Sequence, residues 1–513
     1  MFRASFVVQP FLLFALAVCA QDHTAAVQHH QRAMAFYSAH DVQRAIAELT
    51  RAVEVDTQYA EAWNDLGVIQ RQQGNVQTSL DCFRKAIEAK PQYQSALYNL
   101  ALALEASHDF ASALTQVRSL TALAPRMPQA HALCGRLLTE QNRLEPARDE
   151  LRKALDLDPA LAGARINLGA VLYKLGYVGE ATKELRQAVE QDPKSAQAQF
   201  QLGLALFAGG EQQNAKAAFQ QAVKLDPQLA EARINLGQLL ENENQLADAI
   251  AEYRAAARVG TGTNAPLHLA RALIRTQSFS EAKSTLDAAL LKFPEDEALH
   301  FERGKLCADT GHMQAALYDL QTAIRINSKN AKYYLELARA LQKLGKRQDQ
   351  KAALEAAVRI DPNLVEARYA LANLARQQGD TSASRLQLAE VQRLQQSGVN
   401  RDLALGALRA GVALAEKHEY DSAIEQFRKA IALNPNLSQA HFDLAGALLS
   451  KGDTTAAISS FRDAIKLTPD WADAHYRLGR VLLEAGRRDE AIQEFRTALK
   501  YDPENAAARR ALN

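Results

Sequence analysis

Apolar and polar positions along the chain follow a helical rhythm, and that rhythm recurs at a fixed interval. Aligning Ala60-Glu61-Ala62-Trp63-Asn64-Asp65-Leu66-Gly67 with Ala230-Glu231-Ala232-Arg233-Ile234-Asn235-Leu236-Gly237 gives windows starting at 26, 60, 94, 128, 162, 196 and 230, each 34 residues after the last. The series resumes at 263, 297, 331 and 365, one residue having been lost near Gly260-Thr261-Gly262. It resumes again at 404, 438 and 472, after five residues gained near Gln396-Ser397-Gly398-Val399-Asn400, which makes fourteen windows. Counted from the start of each window, place 8 is always Gly or Ala, from Ala33 and Gly67 to Ala445 and Gly479. Place 20 is Ala in eleven windows and place 27 is Ala in twelve. Small side chains at these intervals let one helix nest closely against the next. Larger apolar residues fall between them, Leu66, Leu168 and Leu236 in the first half of a window, Phe83, Phe219, Tyr253 and Phe495 in the second.

Punctuation sets the unit. Ten of the fourteen prolines stand at place 32, as in Asp158-Pro159 and Asn434-Pro435, where a ring that cannot continue a helix interior ends one window. Mid-window glycines such as Gly74, Gly176, Gly345, Gly379, Gly452 and Gly486 divide each window into two helices of about 12–14 residues. A single helix-turn-helix of this size cannot bury both of its apolar faces. Its neighbours must stack on it, so the pattern predicts an all-α protein built as an α-solenoid.

Trp63-Asn64-Asp65-Leu66-Gly67, Ser79, Phe83, Ala86 and Pro91 resemble the Trp, Leu-Gly, small, aromatic, Ala and Pro pattern of the tetratricopeptide repeat (TPR) family, with Ser79 where Ala is usual. The resemblance covers residues 26–505. It implies a right-handed superhelix of antiparallel helix pairs, whose first helices line a concave groove that binds peptide or protein segments.

Window 365 lacks the terminal proline, carries Ser384 and Val391 where Ala is usual, and runs into the insertion. Eleven repeats over 26–397, a joint over 398–403 and three repeats over 404–505 are one reading; a single continuous solenoid with a loop is the other. Residues 506–513 are too few for a repeat and form a short cap or tail. The last apolar face is left either to that cap or to a partner, self-association through the end repeats included.

Composition narrows the chemistry. With 60 Lys and Arg against 59 Asp and Glu, the chain has no broad electrostatic attraction for nucleic acid or an anionic membrane. Four cysteines, Cys19, Cys82, Cys134 and Cys307, make no disulfide framework and no metal-ligand spacing. No phosphate-binding Gly-rich loop, H-E-x-x-H or G-x-S-x-G is present, so no catalytic residue, metal or cofactor is assigned. His29, His131, His300, His441 and His475 share the place of Trp63 and read as packing residues, and His23, His29 and His30 as a frayed polar end.

The first residues belong to another kind of segment. Arg3, the apolar run Phe11–Val18 and Val18-Cys19-Ala20 before Gln21 match a signal peptide over 1–20, followed by a short segment over 21–25. Leu16-Ala17-Val18-Cys19 also resembles a bacterial lipobox, which would make Cys19 a lipidated N-terminus; export from a bacterial cell would place the protein in the periplasm, in the cell envelope or outside the cell. No later stretch is apolar enough to span a membrane. The expected role is an exported, non-catalytic scaffold that binds a protein or peptide; the rivals are a structural subunit of an envelope assembly or polysaccharide-secretion system, and an enzyme with an unfamiliar site.

Three sets of residues are candidates for the groove. Asn99, Asn167 and Asn235 share place 6 in alternate windows; the resemblance implies that an Asn here hydrogen-bonds the backbone of a bound chain, whereas the other reading ties it to the adjacent repeat. Tyr98 and Phe200, at place 5 with Phe301, Tyr369, Phe442 and Tyr476, are either a ligand platform or packing. Arg271, Lys305 and Arg339 share place 9, with Arg275 and Lys343 one turn on, a basic stripe suited to an acidic segment. Glu302 and Glu336, three residues before Lys305 and Arg339, favour intrahelical pairs instead. The Lys and Asn clamp for chaperone tails known in some TPR proteins finds no match before Asn99, Asn167 and Asn235.

Overall fold

The computed structural model describes residues 9–502 and 505–512, with side chains from residue 22 onward except that of residue 506. Among the described residues there are helices and no strands. Arg3 and Pro503 lie outside the described residues, as does the side chain of Cys19; the backbone over 9–20 is continuous with the helix Gln9–Ser38 that opens the first window.

Each regular window folds as the spacing predicts. The first helix fills places 1–13, as in Ala60–Gln72, and the second fills places 17–30, as in Val76–Ala89. The reversal between them rests on place 15, which has φ between 56° and 85° in all fourteen windows. Glycine occupies it in eight windows, but His40, His108, Asn142, Asn244, Gln277 and His418 hold the same left-handed conformation, so the turn is more regular than its glycines.

The turn that leads to the next window is closed from its own side chain. Asp158 Oδ1 accepts the N–H of Ala160 at 3.0 Å, and Asp192 and Asp226 repeat the contact with Lys194 and Gln228. Within a hairpin, place 8 faces place 24: a Cβ added at Gly237 would stand 2.5 Å from the Tyr253 ring, and one at Gly169 would stand 2.4 Å from Leu185. Between hairpins, place 27 meets place 3 of the next window, as Leu120 meets Ala130 and Ala430 meets Ala440 in shared apolar clusters.

The chain divides into two compact units, one ending at Pro294 and one beginning at Glu295. That division does not coincide with the joint expected over 398–403. Those residues continue a helix of 36 residues, Thr381–Glu416, which serves as the second helix of window 365 and the first helix of window 404. The insertion carries no proline, and Gly398 lacks the left-handed φ found at place 15, so nothing there breaks the backbone hydrogen bonds. At the far end Ala506–Leu512 is a short helix: Ala508, in the register of a further place 3, is fully buried, and Ala511 and Leu512 join the apolar cluster of the last windows.

Candidate functional site

A fastening not legible in the sequence recurs at place 4. Arg165 donates to Glu184 nineteen residues later at 2.6 Å and to the carbonyl oxygen of Pro159 six residues earlier at 2.9 Å. Arg233 does the same with Glu252 and Pro227, His131 with Glu150 and Pro125, and His475 with Glu494 and Pro469. Place 4 thus joins the first helix to the second helix and to the turn before it. The histidines there pack as expected, and they are also hydrogen-bonded. The N-terminal group is not frayed: His29 faces Glu48, His23 faces Asp56, and His30 faces both Tyr59 and Asp65. Burial works against the Glu150 carboxylate, yet hydrogen bonds from Lys153 and His131 hold its pKa below the usual value. Among the described residues no cluster of three or more His, Cys, Asp or Glu is arranged to hold a metal ion.

The candidate asparagines take different partners. Asn99 donates to Asn64 Oδ1 at 2.9 Å, linking windows 60 and 94, and Asn235 donates to the carbonyl oxygen of Glu231 in its own helix at 2.8 Å. Asn167 is half-buried at the same place. Asn99 therefore follows the reading that ties it to the adjacent repeat. Of the aromatics, Tyr98 is half-buried and packs against the Leu97, Leu120 and Ala130 cluster, whereas Phe200 is buried with its ring 6.0 Å from Phe219.

The basic stripe is divided. Arg271 belongs to the unit ending at Pro294, and Lys305 and Arg339 to the other. Lys305 lies 3.5 Å from Glu302 and Arg339 lies 2.6 Å from Glu336, the intrahelical pairing that the spacing allowed. One turn on, Arg275 pairs with Glu241, and Lys343 donates to the carbonyl oxygen of Ala308 at 2.9 Å, each reaching back to the preceding window. Arg339 also lines an open cavity of about 310 Å³ with Tyr369, Asn373 and Gln342, places 5, 9 and 12 of first helices.

A second cavity, of about 360 Å³, lies across windows 404, 438 and 472. Its apolar wall is Val412, Phe427, Phe442 and Phe461, and Asp443 and Arg477, both at place 6, contribute opposite charges. Gly446 opens it, because a Cβ there would meet nothing within 4 Å. Arg477 sits 5.3 Å from the centre of the Phe442 ring and 3.0 Å from Asp473. Burial pushes the Asp443 carboxyl above the usual range, against a hydrogen bond from Gln439 and the charge of Arg477. A half-buried acid, a cation and aromatic faces around an open slot can hold one amphipathic side chain and a backbone amide of a bound segment. Sequence reasoning passed over Asp443 and Arg477; the available signal was a charged residue at the place where other windows carry Asn.

Three cysteine side chains are among the described residues. Cys82, Cys134 and Cys307 are buried, and burial pushes the thiols of Cys82 and Cys134 up to about 11.

Sequence profiles described as tetratricopeptide repeat match this chain along most of its length. One profile matches residues 30–94, 166–230, 210–266, 267–331 and 408–472, and others match 135–176, 331–364 and 448–513. No curated protein matches the chain. Among solved structures, a tetratricopeptide repeat protein from Parabacteroides merdae is 17% identical, covers 49% of this chain and 99% of its own, and superposes with a TM-score of 0.42. YrrB, described as a TPR protein with an unusual peptide-binding site, is 20% identical over 36% of this chain and 96% of its own, TM-score 0.32. The APC/C hetero-tetramer Cut9-Hcn1 is 15% identical over 89% of this chain and 96% of its own, TM-score 0.34. With one profile spanning more than half of its residues and its helix pairs repeating in that register, the chain belongs to the tetratricopeptide repeat family.

Proposed function

We propose that this protein is an exported, non-catalytic scaffold that holds a peptide or protein segment on the concave side of its first helices. The observation that carries the reading is the cavity across windows 404, 438 and 472, where the aromatic wall, Asp443 and Arg477 converge beside the open position at Gly446. First-helix places 5, 6 and 9 line it, and places 5, 9 and 12 line the cavity at Arg339, so the same side of the first helices is used in both. An extended segment suits such a surface, because its free N–H and C=O groups pair with polar side chains while its side chains enter the slots.

Selection of short random peptides on the purified chain tests this, in parallel with a Gly446→Trp variant whose indole fills the slot. Peptides retained by the native chain and lost by the equally helical variant support the groove. Identical peptides from both, or none from either, refute it at this site. Export rests on the segment over 1–20. Mass spectrometry of the N-terminus in the source cell decides it: a chain starting at Gln21 indicates cleavage, an acylated Cys19 a lipoprotein, and an intact Met1 refutes export. Cleavage before Gln21 leaves window 26, with its buried Ala26 and Ala33, whole.

A further inference from the structure

The helix Thr381–Glu416 leaves two repeat faces uncovered in the middle of the chain. Place 24 is at most 1% exposed in thirteen windows, from Leu49 to Phe495, but Leu388, which holds it in window 365, is 42% exposed. On the other side of the insertion, place 3 and place 10 of window 404, Gly406 and Ala413, are exposed. In the other windows these two places are buried, save Gln28 and Ala35 of the first window. Window 365 therefore ends like the last repeat of an uncapped stack, and window 404 begins like the first repeat of one. The cause is geometric. Elsewhere place 27 of one hairpin touches place 3 of the next, whereas Val391 and Gly406 are fifteen residues apart on one helix, about 22 Å along its axis.

We propose that these two faces are closed by a second copy of this chain, in a two-fold symmetric dimer in which the long helices lie antiparallel. The second helix of a repeat and the first helix of the next run antiparallel in any stack of hairpins, and two long helices related by a two-fold axis do the same. The register also agrees. Thr381–Glu416 has its midpoint between Gly398 and Val399, and Val391 and Gly406 are equally far from it, about 11 Å each way. An axis through that midpoint sets Val391 of one copy, itself only 7% exposed in the single chain, level with Gly406 of the other, twice, in the register of the place 27 and place 3 pairing seen at Leu120 and Ala130. Gln395 and Asp402 are likewise equidistant, so an amide donor of each copy meets a carboxylate acceptor of the other.

These positions share one stripe. At about 100° per residue, Leu388, Val399, Gly406 and Ala413 fall within about 40° of one another around the helix. Of the five exposed large apolar residues on this helix, Leu388 and Val399 lie in the stripe, Leu403 lies beside it, and Leu386 and Val412 face elsewhere; no other described helix carries more than two. A net charge of +1 gives two copies little mutual repulsion. The occupant that fits is a second copy because the missing neighbour of each face is a repeat from this same array, and one symmetric contact supplies both neighbours at once.

The test uses the full chain with Cys19→Ser, so that the remaining native cysteines are the buried ones. Sedimentation equilibrium is expected to give twice the 56.3 kDa monomer mass at micromolar concentration. Val399→Cys is expected to form a disulfide-linked dimer under mild oxidation, because the two-fold axis brings both copies of residue 399 together. Ala413→Arg, a change at a position exposed in the single chain, is expected to sediment as a monomer with an unchanged circular dichroism spectrum. A native chain that stays monomeric overturns the proposal, as does a dimer that survives Ala413→Arg or fails to crosslink through Val399→Cys.

Discussion

Nδ1 of His475 lies 2.6 Å from Oε2 of Glu494 on the facing helix, while its Nε2 lies 3.0 Å from the carbonyl oxygen of Pro469. A carboxylate and a carbonyl both accept, so this ring satisfies both neighbours only when each nitrogen carries a proton. Burial resists the charge, but the hydrogen bonds to Glu494 and Pro469 and the charge of Glu494 prevail, and the His475 pKa is raised above 6.5. A raised folded-state pKa means stability that is fully present below the unfolded value and lost as pH rises through the folded one. Hydrogen-exchange protection over Ala472–Tyr501, corrected for intrinsic rates, is expected to fall as pH climbs through the range above 6.5. In His475→Gln that decline should vanish.

Arg165 makes the same fastening with a guanidinium. Its guanidinium donates to Glu184, Gln187, Gln191 and Pro159, four acceptors around a side chain that is only 9% exposed. Arg165→Met should lower the local unfolding free energy of the hairpin by about 2–3 kcal/mol, since acceptors lose a charged donor. Arg165→Lys should recover less than half, because an ammonium cannot serve four acceptors in a planar fork. Exchange rates over Ala162–Gln191 report both effects.

Place 8 and place 24 make a size-matched pair. Gly237→Ala sets a methyl 2.5 Å from the Tyr253 ring, and overpacking of this kind costs about 1–3 kcal/mol, partly offset by the better helix propensity of Ala. The double change Gly237→Ala, Tyr253→Leu should be more stable than Gly237→Ala alone. Urea denaturation of the native chain and the two variants, followed by exchange over Ala230–Val259, checks the order.

Gln277 holds φ at 60° at place 15, where eight other windows use glycine. Gln277→Gly should remove left-handed strain and stabilise its turn by about 1 kcal/mol, less the extra freedom Gly gains on unfolding. The reverse change, Gly176→Gln, should destabilise by a similar amount. Slower exchange at Phe279–Lys292 in the first variant is the expected reading; faster exchange would count against strain at this place.

Helix boundaries, the all-α class and the repeat register were legible because proline, glycine and the small residues act locally and return at fixed places from window to window. The fastening at place 4 was not, because its partners lie nineteen residues later and six earlier, and its donor alternates between His and Arg. Asn99 shows how a shared place misleads: Asn99 reaches the preceding window, Asn235 reaches its own helix, and the sequence holds no sign of the difference. Insertion of five residues looked like a joint, yet without a proline or a left-handed residue the backbone simply continues as helix through Gly398. Asp443 and Arg477 were overlooked because neither charge is unusual until three windows bring both to one slot.

The long helix also changes how damage spreads. Repeats held by buried contacts lend stability to one another, so loss of one hairpin weakens those beside it. Within a single chain, windows 365 and 404 share a backbone rod instead of a buried seam, and a helix unravels at the cost of about one hydrogen bond per residue. Melting that starts at Tyr420–Leu433 therefore strips no apolar surface from the hairpin before Gly398. Within one chain, Thr381–Glu416 acts as a firebreak, containing a lesion on either flank to the flank where it arose.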